Sequence, residues 1–91
     1  MKKYLSVALI CILAFATQTA QAQLKRANKR FDSREYAKAI PLYQRHLEKV
    51  PISEEGMEKL AHSYRFINDS RNAEYWYNRL IKAGNKDPQN T

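Results

Sequence analysis

Residues 35–47 read EYAKAIPLYQRHL and residues 69–81 read DSRNAEYWYNRLI. Laid one above the other they put Glu35 over Asp69, Ala39 over Ala73, Tyr43 over Tyr77 and Leu47 over Ile81, each pair 34 positions apart. Upstream, the same spacing sets Ala27 over Ala61. A constant spacing of this size marks a repeated supersecondary unit, and the apolar residues inside each copy say which one. Leu24, Ala27 and Phe31 follow a helical period, as do Tyr36, Ala39, Ile40, Tyr43, Leu47 and Val50. The second copy carries Met57, Leu60, Ala61, Tyr64 and Ile67, then Ala73, Trp76, Tyr77, Leu80 and Ile81. The fold expected is all-α, with two helix-turn-helix hairpins over 23–53 and 54–87.

Punctuation between the stripes agrees. Ser53 is a good N-cap, with Glu54 and Glu55 where the helix dipole favours negative charge, and Pro51 cannot continue the helix before it. Ser33-Arg34-Glu35 and Asn68-Asp69-Ser70 read as the turns inside the hairpins. Asn68 tolerates a left-handed backbone, whereas Arg34 would adopt one at a cost of roughly 1 kcal/mol. Gly84 suits the left-handed position that closes the last helix. Pro41 places the start of its helix no earlier than Ala37, with a short or bent first turn.

The pattern resembles the tetratricopeptide repeat. The likeness rests on the period of 34, on the small residues Ala27, Ala61, Ala39 and Ala73, on Tyr43 and Tyr77, on Glu35 and Asp69 in the turns, and on Pro51. It covers residues 23 to 85. It departs from the family's pattern in the first helix, where Arg26 and Arg30 stand at the positions of Leu60 and Tyr64, and at His46, which stands where the second copy has Leu80. The resemblance implies a fragment of an α-solenoid whose concave groove is lined by the first helix of each hairpin and holds a segment of a partner protein. By register it would present Leu24, Lys25, Asn28, Phe31, Asp32, Glu55, Glu58, Lys59, His62, Arg65 and Phe66. Family members that clamp a terminal carboxylate use Lys and Asn at set groove positions. Of these Asn28 matches, and Lys59 stands where a second Asn belongs.

Ahead of the repeats, Lys2 and Lys3 precede 13 uncharged residues, Tyr4 to Ala16, and the segment closes on Ala20-Gln21-Ala22. This is the order of a cleavable signal peptide over 1–22, cut between Ala22 and Gln23. The apolar run is short of the roughly 20 residues needed to cross a bilayer. Cys11, the single cysteine, leaves with the signal, so the mature chain has no disulfide or thiolate metal site. Ile10 before it and the apolar residues after it do not suit lipidation. Export of this kind places the chain in the periplasm or on the periplasmic face of the outer membrane, with no transmembrane span in the mature chain. Lys2 and Lys3 leave too, so 14 basic residues remain against 9 acidic, a balance of +5 held in the first repeat.

No His-x-x-His, Glu-x-x-His or glycine-rich phosphate loop occurs, and His46 and His62 fall on different helices. Both histidines are expected at a surface or an interface. The chain reads as non-catalytic, with no cofactor. Trp76 and Tyr77 belong to an apolar stripe, whereas Tyr75 lies off it and is expected to be exposed. Lys25, Arg26, Lys29 and Arg30 form two like-charged i,i+4 pairs and ask for anionic company: an acidic partner surface, anionic lipid or lipopolysaccharide phosphate. Nucleic acid is not expected in that compartment.

A solenoid generally needs about three repeats to bury its apolar faces. Two are present, and residues 88–91 read as the start of a truncated third repeat or a tail. The signal peptide, the repeat that follows it at once and its basic first helix resemble the start of larger Gram-negative envelope proteins. In those a repeat module precedes a β-propeller and an OmpA-like peptidoglycan-binding domain. The likeness implies an adaptor or scaffold with a protein or peptide partner in the periplasm, in an assembly associated with the outer membrane or peptidoglycan.

Overall fold

The computed structural model describes residues 19–84, and regular structure among them is entirely helical. Helix α1 covers 19–32, α2 is Tyr36–Lys49, α3 is Glu54–Phe66 and α4 is Ser70–Gly84. Most of the expected signal peptide (1–18) and the expected tail (88–91) lie outside the described residues. Residues 19–22 do not: they are helical and continuous with α1, so the helix begins ahead of the expected start of the first repeat at residue 23.

The two intra-hairpin turns are built alike. Arg34 N–H donates to the Phe31 carbonyl (2.9 Å) and Glu35 N–H to the Arg30 carbonyl (2.8 Å). Asn68 N–H donates to the Arg65 carbonyl (3.0 Å) and Asp69 N–H to the Tyr64 carbonyl (2.9 Å). These paired bonds are the Schellman closure, which satisfies orphan carbonyls by passing one residue through the left-handed region. That residue is Arg34 at φ 62° and Asn68 at φ 66°, the two positive-φ positions among the described residues. The same two backbone bonds and the same left-handed position therefore recur at the spacing of 34.

Helix starts differ in mechanism. Ser53 Oγ accepts Gly56 N–H at 3.0 Å and caps α3, with Glu54 and Glu55 in its first turn. Asp69 takes Asn72 N–H on Oδ1 (3.3 Å) and the Asn72 side-chain amide on Oδ2 (2.7 Å), which organises the start of α4. Glu35 offers α2 no side-chain cap, but its carbonyl accepts both Lys38 N–H (3.1 Å) and Ala39 N–H (3.0 Å). That shared acceptor holds the first turn together ahead of Pro41, so α2 starts at Tyr36, earlier than the proline predicts.

A second expectation is overturned at Gly84. It lies within α4, and no glycine among the described residues has positive φ. Glycine can take the left-handed conformation but is not driven to it, and here the helical bonding of the last turn persists.

The core gathers Ala27, Ala39, Ile40, Tyr43, Leu47, Met57 and Leu60, with Leu24, Phe31, Leu42, Tyr64, Trp76 and Leu80 packed against it. Ala27, Ala39 and Ala61 are 0% exposed and Ala73 4%. Small side chains at these four places let neighbouring helices approach closely. Coverage weakens along the chain: Leu47 is 7% exposed, but its counterpart Ile81 is 58% exposed, and Ile67 is 42% exposed. α2 packs against both α1 and α3, whereas α4 packs against α3 alone among the described helices, so Trp76 and Tyr77 are half-buried rather than enclosed.

Candidate functional site

The face shared by α1 and α3 is organised by a tyrosine from each hairpin's second helix. Tyr43 O–H donates to Asn28 Oδ1 at 2.7 Å, and Asn28 Nδ2 donates onward to Glu55 Oε2 at 2.9 Å. Lys59 Nζ stands 3.5 Å from the same Glu55 oxygen and 5.5 Å above the Phe31 ring. In the second hairpin Tyr77 O–H meets His62 Nδ1 at 2.5 Å, again across 15 residues. Because the hydroxyl supplies the proton to Asn28, the orientation of that amide is fixed, and so is the side chain presented to Glu55. Burial pushes the Tyr43 hydroxyl well above the ordinary tyrosine range, and the negative charges of Glu55 and Asp32 add to the shift.

An aromatic cluster continues the face. Phe31 packs edge-on to Tyr36 (5.3 Å between centroids) and to Tyr43 (6.4 Å), and lies 6.2 Å from Phe66. Phe66 sits 4.7 Å from Tyr36 and stacks on His62 at 6.2 Å. It nevertheless remains 45% exposed, with the Arg65 guanidinium 5.3 Å from its ring. Of the residues assigned to the groove by sequence, Asn28, Phe31, Glu55, Lys59, His62, Arg65 and Phe66 come together as one connected surface. Asp32 and Glu58 are exposed, and their side chains make no hydrogen bond or ion pair among the described residues.

Sequence reasoning missed Tyr36 as a wall of this cluster and the hydroxyls of Tyr43 and Tyr77 as its organisers. The second of these carried a signal, because both tyrosines repeat at the 34-residue period.

Lys25, Arg26, Lys29 and Arg30 are exposed on α1. Arg30 finds its anionic company within the chain, reaching both oxygens of Glu35 at 3.1 and 3.2 Å. Lys38 joins the same carboxylate at 3.1 Å, and Lys38 first, then Arg30, hold Glu35 below the usual carboxylate range. Arg26 and Lys29 make no ion pair among the described residues and line a cleft of about 520 Å³ with Arg30, Ser33, Glu35 and Leu42. Arg26 is exposed although its counterpart Leu60 is fully enclosed. A further cleft of about 560 Å³ lies away from the α1/α3 face, between the α2–α3 loop and α4, where Ile52, Tyr75 and Arg79 form its walls. Tyr75 is 52% exposed, as expected.

His46 corrects the expectation of a surface or interface histidine. It is 1% exposed, with Nδ1 2.7 Å from the Ala20 carbonyl and Nε2 2.9 Å from Ser53 Oγ. A carbonyl can only accept, so Nδ1 carries the proton, and in the neutral ring Nε2 accepts from the Ser53 hydroxyl. The Ser53 oxygen is committed in turn to Gly56 N–H. The connectivity resembles a serine–histidine pair, and here both groups bond helix ends, with the ring 1% exposed. No three His, Cys, Asp or Glu side chains converge as metal donors among the described residues, and no described helix is long and apolar enough to cross a membrane.

Comparison of the chain with family models, with curated proteins and with solved structures returns no match.

Proposed function

We propose that this chain is a non-catalytic protein-interaction module of the tetratricopeptide type, exported to the bacterial cell envelope, whose α1/α3 face holds a segment of a partner protein. The observation that carries the reading is Phe66: a large ring left 45% exposed yet backed by Tyr36, Phe31 and His62. Rigid, supported aromatics flanked by cations are the anchors that dominate protein interfaces, because little side-chain freedom remains to be lost on binding. Lys59 and Arg65 over neighbouring rings supply the charged rim. The signal-like residues 1–22 support the compartment.

The test is co-purification from a periplasmic extract with the tagged chain, set against Phe66→Ala, Lys59→Ala and Tyr75→Ala. The reading expects a captured partner to be lost with the first two and kept with the third. Equal capture by all four chains would remove the α1/α3 face from consideration, and recovery of the tagged chain in the cytoplasm would overturn the export.

A second reading has its own support in Arg26 and Lys29, which make no ion pair among the described residues and line one cleft with Leu42 and Glu35. In it, α1 contacts anionic lipid or lipopolysaccharide phosphate. Replacing Lys25, Arg26, Lys29 and Arg30 by Gln should then abolish co-sedimentation with phosphatidylglycerol vesicles. Unchanged sedimentation, or none by the unaltered chain, would eliminate it.

A further inference from the structure

His46 joins three helices that are otherwise separate in sequence. From α2 it receives the Ser53 hydroxyl at the start of α3 and donates to the Ala20 carbonyl in α1. Ala20 is itself 1% exposed. Three residues further along α1, the side-chain oxygen of Gln23 is also enclosed by protein, without a hydrogen-bond partner. The Ala22–Gln23 bond therefore lies inside a helix in which Ala22 is exposed, while Ala20 and the side-chain oxygen of Gln23 on either side of it are taken up by the packing.

A protease works on extended backbone, and a bond held in a packed helix is cut only when that helix opens. In the signal-peptide pattern, Ala20 and Ala22 are the two small side chains the peptidase must seat. The fold uses Ala20 for its own core. We propose that folding of this module shields the Ala22–Gln23 bond from hydrolysis, with His46 as the latch that withholds Ala20 from the peptidase. This rests on the export reading above.

In the hydrolysis, water adds to the Ala22 carbonyl carbon and the bond to the Gln23 nitrogen breaks. Ala22 leaves as a carboxylate, and Gln23 becomes an α-ammonium. The product loses the acceptor of His46 Nδ1–H and gains a positive charge at the N-terminal end of α1, where the helix dipole disfavours it. Processing is therefore faster ahead of folding, and a chain that folds first keeps its leader for longer.

The experiment compares the full chain, folded in detergent micelles, with a synthetic peptide of residues 1–32 carrying the same cleavage sequence. Both are treated with a bacterial signal peptidase and followed by intact mass. The peptide is expected to be cut after Ala22, and the folded chain at least about tenfold more slowly, because only its open fraction reacts. His46→Leu keeps an apolar filler, as Leu80 does in the second hairpin, but removes the donor; it should be cut at a rate approaching the peptide's. His46→Gln retains an N–H donor and should restore much of the protection, even if His46→Leu loses helicity.

Equal rates for peptide and folded chain would overturn the proposal. So would a His46→Leu chain that stays helical by circular dichroism and as resistant as the original. A peptide that is not cut after Ala22 would remove the export reading itself, a result distinguishable from the other two.

Discussion

The Tyr43 hydroxyl crosses the first hairpin to donate to Asn28 Oδ1 at 2.7 Å, so a core residue of α2 sets the conformation of a surface residue of α1. Tyr43→Phe preserves the ring and removes the bond. A loss of about 1 kcal/mol is expected, the usual net worth of a part-buried hydrogen bond. It would be read as a lower urea midpoint at unchanged m-value. No shift in the midpoint would mean that Asn28 is held by Glu55 alone.

The same hydroxyl makes a prediction in alkali. Burial raises the phenol pKa of Tyr43, and that of Tyr64 by the same first cause, in the folded chain. Above the unfolded value of about 10 the unfolded chain releases protons that the folded chain keeps, so the slope of stability with pH is negative there. The stabilisation is fully present below that pH and is lost progressively above it. Urea titrations across this range should show the decline, and Tyr43→Phe should make it shallower. An identical decline in the variant would assign the effect to other groups.

Gly56 stands in a crowded place for the first turn of a helix. A Cβ there would meet His46 Cδ2 at 3.0 Å, Ser53 Oγ at 3.0 Å and Leu47 Cδ2 at 3.2 Å. On an open helix surface Gly→Ala stabilises by about 1 kcal/mol. At this position overpacking should win, and Gly56→Ala should destabilise by roughly 1–3 kcal/mol. Thermal denaturation decides it: a raised Tm would show that the imidazole yields freely.

Arg34 and Asn68 hold the same backbone conformation with different fitness for it. Arg34→Gly removes a left-handed strain of about 1–2 kcal/mol, partly offset by the entropy of glycine in the unfolded chain. Asn68→Gly has less to relieve, because asparagine visits this region readily. The first substitution should therefore raise Tm by more than the second; the reverse order would falsify the account of the two turns.

Much of the helical pattern was legible because it is local or periodic. The Ser53 cap, the left-handed Asn68, and the four alanines at the crossings all follow from residue type at a recurring spacing. The members of the α1/α3 face were named by the resemblance to the tetratricopeptide repeat; Asn28, Phe31, Glu55, Lys59, His62, Arg65 and Phe66 make contacts there, and Asp32 and Glu58 make none through their side chains. What escaped the sequence were relationships between distant residues. His46 looks like a polar intrusion into an apolar stripe until Ala20 and Ser53 supply its two partners. Phe66 gave no sign of being braced by Tyr36, since ring against ring is decided by how α2 and α3 cross. Gly84 was misread because its left-handed option is permissive, and nothing nearby required it.

The exchange of Leu60 and Tyr64 for Arg26 and Arg30 between corresponding helices has a consequence for self-assembly. Any head-to-tail contact that buried Arg26 against an apolar face such as the exposed Ile81 would have to strip the guanidinium of water. That cost weighs against open-ended stacking of identical copies, which needs two compatible ends.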